Sequence, residues 1–402
     1  MRHRCCILVL TVTLTAFTLA QPHTATLQRL NQATSLLGGS APPKLDTVFS
    51  ADFLQKVPPM QLRMGLAPLI KKYGACESAT VVSQQSPFAV KAEAVSDSGY
   101  VYPITLTVSP APPHLIIGFF IATPFQRSVS LESIVRDVAA LPGRASITVY
   151  DVLADTVIIE HRGDDRLPIG STFKLYVLGA LQSQIAAGRR SWSDVITLDS
   201  AWHSLPSGVL HTWPHGVPMT LHTLATQMIS ISDNTATDHL IHIVGRSTVE
   251  DIQTTLGHGD PSRNVPFRTT MEAFREKYGP DGTMISDQPV LVDSVEWFAS
   301  TAELCKAMAY FYHQAKGSLS DPVLQIMAVN PGINLSRDAW PYVGYKGGSE
   351  PGTINMTYLA QSAKGRWYAA SVTWTQLHST VDVAQVAAIA SGLFRYLEQA
   401  QP

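Results

Sequence analysis

Leu167-Pro168-Ile169-Gly170-Ser171-Thr172-Phe173-Lys174 sets a serine and a lysine three residues apart at what reads as a helix start. Three residues is just under one helical turn, so both side chains project from the same face. An amine can then reach the serine hydroxyl, and the positive end of the helix favours negative charge developing on oxygen. A lysine taken out of water and set near other cations loses its proton near neutral pH and can act as a base. The spacing is common among proteins, so its meaning depends on what stands further along the chain.

Downstream, Ile231-Ser232-Asp233-Asn234 joins two helical patterns, Leu221 to Ile229 and Thr235 to Ile243. Ser232 there could pass a proton to a leaving group, and the Asn234 amide could hold a lysine or a substrate carbonyl. Ser, Asp and Asn are equally the residues that cap helices. Later still, Tyr345-Lys346-Gly347-Gly348-Ser349-Glu350-Pro351-Gly352 ends a strand-like run. A lysine in that place can hold a carboxylate, and small residues after it let a substrate backbone approach the strand edge. Taken alone, the stretch reads as a solvated Gly-rich hairpin.

In this order and at these separations, the three elements resemble the S-x-x-K, S-D-N and K-T-G set of class A β-lactamases and penicillin-binding proteins. The third departs from the pattern, with Gly347 where the family usually has threonine. The resemblance covers roughly residues 130 to 400 and implies a five-stranded antiparallel sheet with an all-helical lobe. It implies Ser171 as acylated nucleophile, Lys174 as its activating partner and Ser232 as proton shuttle. Asn234, Lys346, Gly348 and Ser349 would bind substrate, with the N–H groups of Ser171 and Ser349 as an oxyanion hole. The implied substrate is a small β-lactam, a β-lactam-like ester or amide, or a peptidoglycan peptide, and no cofactor or metal is implied.

One family feature does not carry over. The omega-loop glutamate of class A enzymes, in its E-x-x-L-N setting, has no counterpart between Gly257 and Trp297. That segment instead holds Asn264-Val265-Pro266-Phe267, then an extra helical run to Tyr278, with Glu272, Asp293 and Glu296 as its carboxylates. Glu272 is the candidate deacylation base, against a solvated surface role for all three. Without the glutamate, acylation is expected and fast β-lactam turnover is not. A D-alanyl-D-alanine carboxypeptidase and a receptor that stays acylated are the competing expectations. The Asn-Val-Pro-Phe stretch, the Lys-Gly-Gly-Ser run and an added N-terminal domain are similar to the two-domain β-lactamase-fold protein of clavulanic acid pathways. That likeness implies a steroid-isomerase-like first domain and esterase activity with weak β-lactamase activity.

Outside these motifs the chain reads as α+β. Helical spacing over Thr26 to Leu37 and Pro59 to Tyr73 precedes strand-like runs at Ser78 to Gln84, Phe88 to Val95, Tyr100 to Val108 and His114 to Ala122. The expected division is a signal peptide 1–20, a helix-plus-antiparallel-sheet domain 21–124, a linker 125–130 and a catalytic domain 131–402. In the last, strands at Ala145 to Asp151 and Thr156 to His161 are expected to share a sheet with Tyr342 to Lys346, Ile354 to Ser362 and Trp367 to Gln376. A C-terminal helix is expected to bury Val383, Val386, Ala387, Ala390, Leu393, Phe394 and Leu397.

Arg2, Arg4 and the apolar run Cys5 to Leu19 read as an export signal ending at Ala20, which takes the net charge from −2 to −4 on removal. An anchoring helix is the alternative, but the run falls short of the ~20 residues a bilayer needs. No other run suggests a membrane span. With 45% hydrophobic and 15% charged residues and no basic cluster, a globular protein is expected and a nucleic-acid partner is not. Cys76 and Cys305 read as buried free thiols, with a disulfide as the alternative. The 13 histidines lack H-E-x-x-H or Cys/His spacing, and no G-x-S-x-G is present.

Overall fold

Pro59–Tyr73 forms one helix over the span its apolar spacing predicts, with Leu62 and Leu66 buried and Gly74 ending it at φ +90°. Proline suits the first helical position, where its missing N–H would have no partner. A computed structural model describes residues 22–38, 44–126, 130–256, 268–280, 287–291 and 294–400. Two compact units divide the chain between residues 127 and 128.

In the first unit, α1 is Thr24–Thr34, α2 is Ala51–Lys56 capped by Ser50, and α3 is Pro59–Tyr73. Strands β1 (Cys76–Ser86), β2 (Ala89–Ser96), β3 (Tyr100–Val108) and β4 (Ile116–Ile121) follow as an antiparallel meander, and β5 (Phe125–Gln126) pairs with β3. Alternate residues of β2, Val90, Ala92 and Ala94, face the core, as the two-residue period of a half-buried strand requires. Burying a leucine such as Leu30 on α1 contributes about 1.5–3 kcal/mol. Tyr102 is fully buried, and its hydroxyl donates to the Gly74 carbonyl at 2.7 Å, with the Leu69 carbonyl oxygen at 3.0 Å. Cys76 is buried and free, and burial followed by Asp97 pushes its thiol up to about 11. The short α2 has no counterpart among the sequence expectations.

The second unit begins with α4 (Leu131–Ala139), held by a Ser130/Ser133 capping box. Then come β6 (Arg144–Asp151), β7 (Thr156–His161), β8 (Leu167–Pro168) and α5 (Lys174–Ala186). Next are β9 (Val195–Thr197), β10 (Pro218–Thr220), α6 (Leu221–Ser230), α7 (Asn234–Val244), α8 (Arg246–Leu256) and α9 (Thr270–Tyr278). The chain closes with β11 (Phe298–Ala299), α10 (Thr301–Ala315), α11 (Pro322–Ala328), β12 (Tyr342–Glu350), β13 (Thr353–Gln361), β14 (Trp367–Thr375) and α12 (Val383–Gln399). One antiparallel sheet runs β12-β13-β14-β6-β7, so first and last segments meet in it as expected. Helices α4 and α12 cover one face through Ile134, Val138, Val386, Ala390, Leu393 and Phe394. Val383 departs from the expectation: it stands 45% exposed at the helix start.

The helical lobe packs around α5, which is buried continuously from Lys174 to Gln182. A helix apolar all round belongs at the centre of a core rather than at its surface. Strand β12 is longer than its sequence suggests. Gly347 and Gly348 stay paired with Met356 and Asn355, and the turn falls at Pro351-Gly352 instead. The short β8 pairs with β11, placing the chain just before Ser171 against Phe298 and Ala299. Cys305 is buried and free, its Sγ 3.4 Å from the Thr148 carbonyl oxygen.

Candidate active site

Ser171 sits in a single 3₁₀ turn, Gly170–Phe173, that feeds directly into α5. Three contacts fix that turn. Ile169 N–H donates to the Trp297 carbonyl at 2.9 Å, and the Phe173 ring stacks on Trp297 at 3.9 Å. The Thr172 hydroxyl donates to Asn355 Oδ1 at 2.8 Å, while Asn355 Nδ2 donates onward to the Thr373 hydroxyl. Asn355, Thr357, Ser371 and Thr373 form a buried polar face on β13 and β14. Polar residues at two-residue spacing inside otherwise apolar strands were the available signal for this support, and the sequence reading missed it.

Lys174 opens α5 with no exposed surface, and Ser232 and Asn234 come to it from the α6–α7 junction. Its Nζ donates to the Ser232 carbonyl at 2.6 Å, Asn234 Oδ1 at 2.7 Å and Ser232 Oγ at 3.0 Å. Lys346 Nζ, on β12, donates to the same Ser232 hydroxyl at 3.1 Å and to the Gly347 carbonyl. Ser232 thus bridges two buried lysines. It holds φ +59°, a left-handed conformation that costs a non-glycine residue on the order of 1–3 kcal/mol and tends to mark functional sites. Burial, then the Lys346 charge, holds Lys174 well below the usual lysine range, against opposing pulls from Asp238 and Asp233. Burial alone brings Lys346 down to about 7.

Capping and chemistry divide between neighbours in the Ser-Asp-Asn run. Asp233 is the N-cap, its carboxylate accepting from Ala236 N–H at 2.8 Å. The same carboxylate accepts from the N–H groups of Val209 and Leu210, and Asn234 Nδ2 donates to the Leu205 carbonyl. The 205–207 loop is thereby held at the rim of a cavity of about 570 Å³ that contains Ser171, Ser232, Asn234, Lys346, Gly348 and Ser349.

Gly348 and Gly170 interlock. A Cβ on Gly348 would lie 2.1 Å from the Ile169 oxygen and 2.5 Å from Ser171 N, and one on Gly170, at φ +48°, would lie 3.1 Å from Ser349 N. Backbone therefore touches backbone here, and the Ser171 and Ser349 amides border one small space. A side chain at position 348 would push the strand off the turn.

Glu272 is not brought to this site. Its carboxylate closes a capping box at Thr269 and pairs with Arg246 at 2.5 Å, and Glu272 is absent from the cavity lining. Hydrogen bonds from Arg246 and Thr269 outweigh burial and hold it below the usual carboxylate range. Asp293 and the Asn264-Val265-Pro266-Phe267 stretch lie outside the described residues. The carboxylates that do line the cavity are Glu296 and Glu350, tied together by Lys277 of α9. Helix α9 is itself fixed by Asp238 of α7, which accepts from Thr270 N–H at 2.6 Å, the Thr270 hydroxyl at 2.8 Å and Met271 N–H at 3.0 Å. His239, one of the histidines weighed for metal binding, is buried, with its ring nitrogens on Asp199 N–H and the Thr235 carbonyl.

A serine and a depressed lysine on one helix start, faced by a second serine and a second lysine, define the class: a serine hydrolase. Residues 130–394 match the model of the beta-lactamase enzyme family, and the chain belongs to that family. A β-lactamase of Aeromonas hydrophila, AER-1, is 22% identical over 204 residues, 48% of this chain and 66% of that protein. The match thus spans just under two thirds of that relative. Among solved structures, a β-lactamase from Sphaerobacter thermophilus superposes with a TM-score of 0.53 at 24% identity, covering 68% of this chain and 97% of its own. One from Chitinophaga pinensis gives 0.54 at 18%, covering 67% and 98%. A PBP-A variant solved as its acyl-enzyme with penicillin G gives 0.52 at 17%, covering 67% and 96%. These structural likenesses establish the β-lactamase/transpeptidase-like fold of the second unit.

Proposed function

We propose that this protein hydrolyses β-lactams and small β-lactam-like esters through an acyl-enzyme on Ser171. The observation that carries the proposal is the Ser232 hydroxyl held between Lys174 and Lys346 beside Ser171 in one cavity. When charged, Lys174 spends its three N–H bonds on Ser232 and Asn234. When neutral, it keeps the two shortest, to the Ser232 carbonyl and Asn234, and its lone pair is open to a hydroxyl proton. Lys174 takes the Ser171 proton as Oγ attacks the carbonyl carbon. The N–H groups of Ser171 and Ser349 receive the oxyanion, each such donor contributing on the order of 10²–10³ in rate. The proton then passes from Lys174 through Ser232 to the leaving nitrogen or oxygen, and the carbonyl re-forms as the acyl-enzyme.

Deacylation reverses the roles with water as nucleophile. A small acyl group leaves water room beside Lys174 and Ser232, which serve as base in both half-reactions. A bulky penicilloyl group blocks that side, and Glu272 stands away from it. Ester turnover is therefore faster than penicillin turnover. Lys346 and Ser349 bind the substrate carboxylate.

The test is intact-mass labelling by benzylpenicillin. Wild type gains one penicilloyl group and Ser171→Ala gains none while keeping its thermal transition, since loss of such a nucleophile costs about 10³–10⁶ in rate. Labelling of Ser171→Ala at the wild-type level places the nucleophile elsewhere. The N-terminal run supports export as part of the same proposal. Secreted protein beginning at Gln21 bears it out, and retention of residues 1–20 refutes it.

A further inference from the structure

The cavity has two charged ends, and the proposed chemistry uses only one of them. At the first, Lys346 is set to receive a carboxylate. At the other, Lys277, only 5% exposed through its side chain, pairs with Glu296 at 2.5 Å and with Glu350. Among the described residues, Lys277 is shared between these two carboxylates. Glu296 is 2% exposed and Glu350 24%, so the carboxylate accessible from the cavity is that of Glu350. Lys277 takes Glu350 Oε2, and the other oxygen of that carboxylate has no hydrogen-bond partner among the described residues.

Strand β12 fixes which part of a substrate meets this charge. The carbonyl being attacked lies at the Ser171 and Ser349 amides. Lys346 stands three residues before Ser349 on the strand and Glu350 one residue after it. At ~3.3 Å per residue, Lys346 and Glu350 bracket the reaction centre over about 13 Å. A substrate lying along this edge with its carboxylate toward Lys346 sends its acyl substituent toward Glu350.

We infer that Glu350, held by Lys277 and Glu296, is a specificity determinant for substrates whose acyl side chain carries an ammonium group, so that the preferred substrate is zwitterionic. The inference rests on the acyl-enzyme reading. It adds the charge of the group on the acyl side, which Ser171, Lys174, Ser232 and Lys346 leave unspecified. At 24% exposure the Glu350 carboxylate is partly shielded, so it discriminates more strongly than a surface carboxylate while still weakening with salt.

The experiment compares acylation of Ser171 by benzylpenicillin and by ampicillin, which differ by one α-ammonium on the acyl side chain. Wild type is expected to acylate faster with ampicillin by about tenfold in second-order rate at low salt, with the advantage shrinking as salt rises. In Glu350→Gln, which removes the charge and keeps the volume, the advantage disappears while the benzylpenicillin rate holds within about twofold. Glu350→Asp restores part of it. Equal rates for the two penicillins in wild type, or an ampicillin advantage that survives in Glu350→Gln, overturns the inference. Should neither penicillin acylate Ser171, the acyl-enzyme reading fails on its own. The same pair is then scored as reversible competitors of Ser171 labelling by a fluorophosphonate. Stronger protection by ampicillin, lost in Glu350→Gln, upholds the inference, and equal protection overturns it.

Discussion

Gly348→Ala isolates the contact between β12 and the Ser171 turn. The added methyl would lie 2.1 Å from the Ile169 oxygen, 2.5 Å from Ser171 N and 2.7 Å from Thr172 N. Ordinary contact begins at 3.4 Å, so the shortfall against Ile169 is 1.3 Å. All three neighbours are backbone atoms, and no rotamer can relieve them. The turn is tied to Trp297 and Asn355, and β12 to its ladder with β13, so strand and turn must separate by roughly 1 Å. Overpacking of this kind costs about 1–3 kcal/mol in stability. The rate suffers more, because an oxyanion donor works at 2.7–3.1 Å and a displacement near 1 Å costs on the order of 10²-fold. Stopped-flow acylation by benzylpenicillin, paired with a thermal melt, measures both. Gly65→Ala, where nothing lies within 4 Å of the new Cβ, is the control and should leave acylation unchanged. Gly348→Ala acylating at the wild-type rate would refute the placement of the Ser349 and Ser171 amides around one oxyanion.

Benzylpenicillin should give a burst of about one equivalent and then a slow phase, and p-nitrophenyl acetate a smaller burst and faster steady state. Glu272→Gln should alter neither trace, and loss of penicillin turnover in that variant would restore Glu272 as base. Lys346 releases its proton near pH 7 when folded but keeps it to 10.5 when unfolded. The unfolded chain binds more protons between those values, so the group's contribution to stability rises with pH across that window. The rise in melting temperature from pH 7 to 9 should therefore shrink in Lys346→Met. Apparent affinity for carboxylate-bearing substrates should fall above pH 7 while that for neutral esters does not. Asp238→Ala strips three hydrogen bonds from the α9 start and should lower stability by about 3 kcal/mol, roughly 6–12 °C in melting temperature. An unchanged melt would show that α9 is held by other contacts.

How much of the site was legible follows from how local its logic is. Ser171 and Lys174 lie within one turn of chain, and Ser232 to Asn234 within one junction, so short-range patterns flag them, and their resemblance, together with Lys346, to a known ordered set of motifs supplies their roles. Lys277, Glu296 and Glu350 belong together only in space. No short-range pattern links Lys277 to residues 19 and 73 positions further on, and Glu350 read as one polar residue in a Gly-rich run. Glu272 stood out because it was a carboxylate in the expected interval, but its capping geometry was equally visible as Thr269 three residues before it. Gly347 and Gly348 suggested a turn by propensity, and ladder pairing plus the interlock with Gly170 overrode that. The β8–β11 pair was too short to leave a period, though it positions the nucleophile.

From Lys174 to Gln182, helix α5 has no face to spare. With Leu175 through Gln182 sealed on every side, the peg that carries the nucleophile has no way to fray or tilt by itself. Heat inactivation and melting of the helical lobe should then be one event with one midpoint. Amide protons from Leu175 to Gln182 should exchange with solvent only when the whole lobe opens. Covalent labelling of Ser171 is in that sense a built-in gauge of the lobe: the fraction that a probe can label at any temperature is the fraction still folded.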